Sequence, residues 1–289
     1  MKTTRICRFQ VDVAKAVLFF LFLLPAYSGL AQQSAIVLNW LPVDEGVSFC
    51  EIDAPEKSVV NDSKLTLVRI DPSHCKFGFY TATQYENTPR SATSWADQFD
   101  LSVVVNAGMY KSRNNNQNKG FLKVFNHLNN STVSSSYNAM LAANPLDSSA
   151  LSFRIFDMTC DDFSTFDKEY HSFCQVMRMM DCNGQGMAFR KRPDQSCSMV
   201  LVSTDENGII YIVFTRSPYT HLTMIRFLQQ LPLGLRQTAY LEGGPQASLY
   251  LCGRDTVVSK FGSYVSNGYA NDDNDHFWEI PNIIGVKRK

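Results

Sequence analysis

Tyr240-Leu241-Glu242-Gly243-Gly244-Pro245 closes an apolar, strand-like run on a carboxylate and two glycines. The spacing predicts a strand ending at Glu242 and a turn beginning at Gly243. Glycine lacks a Cβ, so the turn backbone can take positive φ and a ligand can approach it closely. Such a position suits a carboxylate offered to a small substrate. It equally suits one that bonds the turn amides and holds the bend, because Gly-Gly-Pro is an ordinary turn sequence.

Working outward, Ser248 to Cys252 reads as the next strand. Upstream, Leu222, Ile225 and Leu228 recur at helical spacing, and Pro232 and Gly234 end that helix. Met199–Val202 and Ile209–Phe214 flank Asp205-Glu206-Asn207-Gly208, a strong hairpin signal. Leu101 to Val105 is a short, continuous apolar run, the mark of a strand buried on both faces. A helix start follows Pro89, with Ser91 or Thr93 as its cap. Leu65 to Ile70 alternates as a strand, and Phe77 to Tyr80 is its expected hairpin partner across Asp71-Pro72-Ser73-His74. Lys111 to Lys119, rich in Asn and Lys, reads as a loop. Phe121 to Phe125 resumes as a strand, and Asn129 to Asn138 reads as a polar turn region. Strands outnumber helices, and the two mix irregularly. The expected fold class is α+β, a single domain with a mixed, largely antiparallel sheet flanked by helices.

The first 31 residues read as a secretory signal peptide, removed from a domain spanning residues 32–289. Lys2, Arg5, Arg8 and Lys15 precede and flank an apolar run from Ala16 to Leu24, and small residues end it at Gly29-Leu30-Ala31. The run is far shorter than the roughly 20 residues a membrane-spanning helix requires. No other stretch approaches that length, so the expected protein is exported, periplasmic or secreted, with no integral membrane segment after cleavage. The leader carries four basic residues and one acid, Asp12, so its removal takes the formal charge from zero to −3. That balance provides no basic patch for nucleic acid.

Seven cysteines remain after the leader: Cys50, Cys75, Cys160, Cys174, Cys182, Cys197 and Cys252. Export favours pairing among them, and the odd count leaves at least one unpaired. Cys160 with Cys174 and Cys182 with Cys197 are the pairings to expect on proximity alone. No Cys-x-x-Cys occurs and the five histidines stand singly, which argues against zinc. Asp157, Asp161 and Asp162 read as surface or turn residues. The acidic run Asn271-Asp272-Asp273-Asn274-Asp275 lacks EF-hand spacing and reads as a solvated loop. Asn61, Asn129 and Asn130 begin glycosylation sequons, relevant only in a eukaryotic source.

Two elements carry a resemblance. Val105-Asn106-Ala107-Gly108-Met109-Tyr110, followed by Gly120-Phe121-Leu122, is one. Leu241-Glu242-Gly243-Gly244-Pro245-Gln246-Ala247-Ser248 is the other. Arg90-Ser91-Ala92 with Trp95-Ala96, Phe214-Thr215-Arg216-Ser217-Pro218, and Ile280-Pro281-Asn282-Ile283-Ile284-Gly285 keep the same order. Together they resemble the phosphodiester glycosidase family, in particular its small exported bacterial branch, over roughly Leu65 to Val286. Better-studied members carry Asp-Gly-Gly where this chain has Glu242-Gly243-Gly244, so this carboxylate reaches about one methylene further.

The resemblance implies a hydrolase that cleaves a glycosyl phosphodiester, with a glycan or glycosyl phosphate as partner. No cofactor is expected, and a divalent metal stays open. Glycosyl transfer through an oxocarbenium-like state needs a carboxylate that directs water or stabilises positive charge. Glu242 is the candidate. Arg216 is the candidate for the phosphate, since a guanidinium grips two phosphate oxygens at once, although a structural ion pair is an equal alternative. Arg90 is a second cation or a solvated helix-start residue. Asn106 offers a donor and an acceptor to substrate, or caps its own turn. Gly108, Gly243 and Gly244 would admit the substrate to the backbone, and Tyr110 and Ser248 would line the site. The alternative from another class is a non-catalytic carbohydrate-binding or envelope-associated module on the same fold, favoured by the Glu-for-Asp change.

Overall fold

The structure is a computed structural model that describes residues 36–60, 62–111, 114–162, 166–187 and 193–289. The leader and the Asn61 sequon lie outside the described residues. The chain is built from β1 (Leu41–Asp44), β2 (Val47–Asp53), β3 (Lys64–Ile70), β4 (Cys75–Thr81), α1 (Ala92–Phe99) and β5 (Val103–Asn106). Next come β6 (Tyr110–Lys111), β7 (Asn114–Asn118), β8 (Leu122–Val124), β9 (His127–Asn130), β10 (Ala139–Pro145) and β11 (Phe153–Asp157). The chain continues through β12 (Tyr170–Met180), β13 (Ser196–Thr204), β14 (Ile210–Thr220), α2 (His221–Gln230) and β15 (Thr238–Gly243). It closes with β16 (Ser248–Cys252), β17 (Val257–Phe261) and β18 (Asn282–Arg288).

These strands form an eleven-stranded sheet whose main path runs β1-β2-β3-β14-β13-β15-β12-β10-β11, with β8 and β9 branching from β12. A five-stranded sheet runs β17-β16-β5-β18-β4, and β6 and β7 make a short ribbon. The two large sheets enclose one core. Val200, Val202, Phe214 and Leu241 come to it from the larger sheet, and Val103, Val105, Leu249 and Ile284 from the smaller. Burying each such side chain contributes roughly 2 kcal/mol.

This architecture corrects the expected α+β class. Two helices, of eight and ten residues, accompany two packed sheets, and every strand pairing among the described residues is antiparallel. The fold is β-rich, and no single mixed sheet is present. The Leu65–Ile70 and Phe77–Tyr80 strands form as expected but do not pair with each other: β3 joins β2 and β14, whereas β4 joins β18 in the other sheet. The Asp71–His74 turn therefore carries the chain between sheets. Lys111–Lys119 likewise departs from a plain loop, because β6 and β7 pair within it.

Other expectations stand. Ser91 caps α1 by accepting from the Ser94 amide at 3.2 Å. The helix lays Trp95 and Ala96 over Val104 and Ile283 on the outer face of the small sheet, so β5 is buried on both faces. Asp205 ties the β13–β14 hairpin through the Asn207 and Ile209 amides at 2.9 and 3.0 Å. Thr220 caps α2, which turns Met224, Ile225, Phe227 and Leu228 inward. No helix among the described residues is long and apolar enough to cross a membrane.

The disulfide pairs Cys160 with Cys182, correcting both proximity pairings. Cys174 lies mid-strand in β12 and Cys197 in β13, both fully enclosed and free, while Cys50 and Cys75 are buried and Cys252 exposed. The bridge sits beside Asp157, which is 1% exposed rather than at the surface. Its carboxylate pairs with Arg178 and accepts from the Thr159 amide at 2.9 Å and the Cys182 amide at 3.1 Å. Asp157, Cys160 and Cys182 cluster tightly enough to hold a metal, but both sulfurs are committed to the disulfide.

Candidate functional site

β15 runs through the middle of the large sheet, between β13 and β12, and delivers Glu242 at its end. A register shift opposite Val200 and Leu201 puts Leu241 in the core and leaves Tyr240 and Glu242 facing away from it. The turn that follows needs its glycines. Gly244 sits at φ +65°, and a Cβ on Gly243 would meet the Tyr240 hydroxyl at 2.1 Å.

Asn106 and Ser248, both candidates for the substrate, hold this turn. The Asn106 Nδ2 donates to the Gln246 carbonyl at 2.9 Å, and its Oδ1 accepts from the Ser248 amide at 2.8 Å. The Ser248 hydroxyl also donates to the Gln246 carbonyl. Asn106 thus clips the small sheet to the turn beyond Glu242, and both ends of its amide are engaged.

Arg216 braces the same turn from behind. Its Nε donates to Asp272 at 2.9 Å, and other guanidinium nitrogens donate to the carbonyls of Phe261, Asp272 and Asn274. These contacts anchor the acidic run 271–275, which is therefore tied into the structure. Asn274 in turn donates to the Gly262 carbonyl, and the Gly262 amide donates to Ala247. Among the described contacts, no Arg216 nitrogen reaches Glu242. Arg90 is also elsewhere, stacked over the Trp95 ring at 4.9 Å and donating to the Thr88 carbonyl.

Tyr110 arrives from the other predicted element. Gly108 at φ +87° turns the chain out of β5, and Tyr110 then comes close enough for the Glu242 charge to hold its phenol protonated. Burial is the larger cause of that upward shift, and a hydrogen bond with Gln246 opposes it. Two further phenols face the carboxylate. Tyr137, between β9 and β10, is pushed up to about 12 by burial and by Glu242. Tyr240 is raised well above its usual value by burial, then by Cys197 and Glu242. The Cys197 thiol, 3.9 Å from the Tyr240 hydroxyl, is raised to about 12 mainly by burial.

Glu242 itself, half-buried at the strand end, is raised to about 7. Burial drives the shift; the Gly243 amide, donating to Oε1 at 3.1 Å, and the nearby Lys119 ammonium oppose it. A carboxyl titrating near neutrality, with three protonated phenols close enough to feel its charge, can take or give a proton at neutral pH. His221, the first residue of α2, packs edge-on against Tyr240 at 4.8 Å and is lowered to about 4 by burial, so it is neutral there.

The structure therefore brings Glu242, Tyr110, Gly243 and Gly244 together, supports them with Asn106, Ser248 and Arg216, and sets Arg90 apart. The sequence reading missed Tyr137, Tyr240 and Lys119. Tyr137 lies in the Ser-rich polar run and Lys119 in the Asn-rich one, where composition signals only loop. Tyr240 read as part of an apolar strand.

No protein-family model and no curated protein sequence matches the chain. Solved structures do. The catalytic domain of zebrafish N-acetylglucosamine-1-phosphodiester alpha-N-acetylglucosaminidase, auto-inhibited by its pro-peptide, aligns at TM-score 0.59 and 11% identity, covering 88% of this chain and 89% of that one. A hypothetical protein from Synechocystis aligns at TM-score 0.59 and 14% identity, covering 89% of this chain and 64% of that one. At these identities the likeness is one of fold.

Proposed function

We propose that the protein is an exported hydrolase that cleaves a glycosyl phosphodiester, with Glu242 as the working carboxylate. The observation that carries this reading is a glutamate at the end of a central strand, raised to about 7 and faced by three phenols. Desolvation makes such a group costly to keep unless the site uses it. Glu242 would direct water to the anomeric carbon or stabilise the oxocarbenium-like state. Lys119, exposed and close enough to attract the carboxylate, takes over the phosphate role for which Arg216 was the sequence candidate. Tyr110 and Tyr137 would donate to substrate oxygens. The fold shared with a phosphodiester glycosidase supports the substrate class by analogy.

The test is hydrolysis of a p-nitrophenyl phosphodiester of N-acetylglucosamine by the mature protein and by Glu242→Gln, with and without EDTA. The expected outcome is turnover by the native protein and a loss of about 10²–10⁴-fold in the variant. Equal rates for the two folded proteins would remove Glu242 from the reaction. Glycan binding without turnover would favour the non-catalytic module.

A further inference from the structure

We propose that Gln175 is a positioning residue for the Glu242 site: its buried side-chain amide ties down the two segments that carry Tyr137 and Lys119 to the carboxylate. The proposal rests on the reading of Glu242 as the working group.

Gln175 lies in the middle of β12 and is 0% exposed. A polar side chain enclosed this way costs free energy unless its amide is satisfied. Here it is satisfied by loop backbone. Nε2 donates to the Ser134 carbonyl at 2.8 Å and to the Tyr137 carbonyl at 2.7 Å. Oε1 accepts from the Ser134 amide at 2.8 Å and the Phe121 amide at 3.2 Å. The main chain of Gln175 adds to the second segment: its amide donates to the Phe121 carbonyl, and its carbonyl accepts from Asn118 Nδ2. Gln175, through its side chain and main chain together, staples residues 134–137 to 118–121. Residues 134–138 have no regular structure of their own, so this clamp sets where the Tyr137 ring sits.

Among the described residues, the titratable groups near Glu242 are Tyr240 on its own strand β15, Cys197 from β13, Tyr110 from β6, and Tyr137 and Lys119 from the two clamped segments. Releasing the clamp has two opposed effects. Moving Tyr137 away admits water and lowers the Glu242 midpoint, whereas moving Lys119 away raises it. Burial is the largest influence on Glu242 and Lys119 the smallest, so the midpoint falls.

The test is a carbon-13 titration of glutamate carboxyls, with the Glu242 signal assigned by its loss in Glu242→Gln, in the native protein, Gln175→Ala and Tyr137→Ala. The expected result is a midpoint lower by about one unit or more in both variants. An unchanged midpoint in either folded variant overturns the proposal. Should Gln175→Ala not fold, hydrogen exchange in the native protein decides. Slow exchange at the Ser134 and Phe121 amides supports the clamp, and exchange as fast as in open loops overturns it. The titration needs no turnover, so an inactive protein whose midpoint shifts would refute the hydrolase reading and leave the clamp standing.

Discussion

Asp157 and Glu242 each end a strand, the first enclosed and the second half-buried, and their surroundings are opposite. Asp157, at the end of β11, meets Arg178, the Thr159 amide and hydroxyl, and the Cys182 amide. Glu242, at the end of β15, has one hydrogen bond among the described residues, from its neighbour Gly243, and otherwise faces phenols. The first arrangement surrounds the acid with a cation and three donors and fixes a disulfide-bearing corner. The second withholds donors and leaves the carboxyl free to change charge. Burial of an acid is therefore not itself a functional sign; burial without a full set of partners is.

The largest expected effect lies at the structural carboxylate. Arg178→Leu leaves Asp157 enclosed without its cation and is expected to cost about 3–5 kcal/mol in urea unfolding. A cost under about 1 kcal/mol would erase the distinction drawn between the two acids.

Glu242→Gln is expected to act in the opposite direction. The folded value of Glu242, about 7, lies above its ordinary 4.5, so the folded chain holds an extra proton across that window. Stability therefore falls as pH rises from about 4.5 to 7, and the variant escapes the loss. Unfolding at pH 8 should show Glu242→Gln more stable by on the order of 2 kcal/mol, with no difference at pH 4. A destabilised variant at pH 8 would mean the charge is held by partners, as in Asp157.

The smallest effect sharpens the electrostatics. Lys119→Met removes a cation that lowers Glu242, so the Glu242 midpoint should rise by about half a unit in the carboxyl titration, since an exposed charge is well screened. A fall would show that Lys119 does not face the site.

Much of this was legible in the sequence. Continuous apolar runs marked β5 and β13, a polar Asp-Asn-Gly turn marked the β13–β14 hairpin, and a serine before Trp95 marked the start of α1. Pairing was not legible. Asp71–His74 has turn chemistry whether it closes a hairpin or crosses between sheets, and only contacts such as Gly78 with Gly285 decide. β10 went unmarked because Ala139-Met140-Leu141-Ala142-Ala143 has no period-two alternation and strong helix formers, and tertiary burial on both faces overrides that preference. At the site, Glu242 stood out through its glycines. Asn106 and Arg216 carried the right chemistry for substrate, yet their donors are bound to carbonyls brought near by folding. Tyr137 and Gln175 could not be found, since nothing local links a loop tyrosine to a strand glutamine 38 residues away.

The most direct measurement is the carbon-13 titration of the Glu242 carboxyl in the native protein. A Glu242 midpoint near 7 is the predicted result. A Glu242 midpoint at or below 4.5 would show a carboxylate held as an anion and would contradict its assignment as the group that moves a proton at neutral pH.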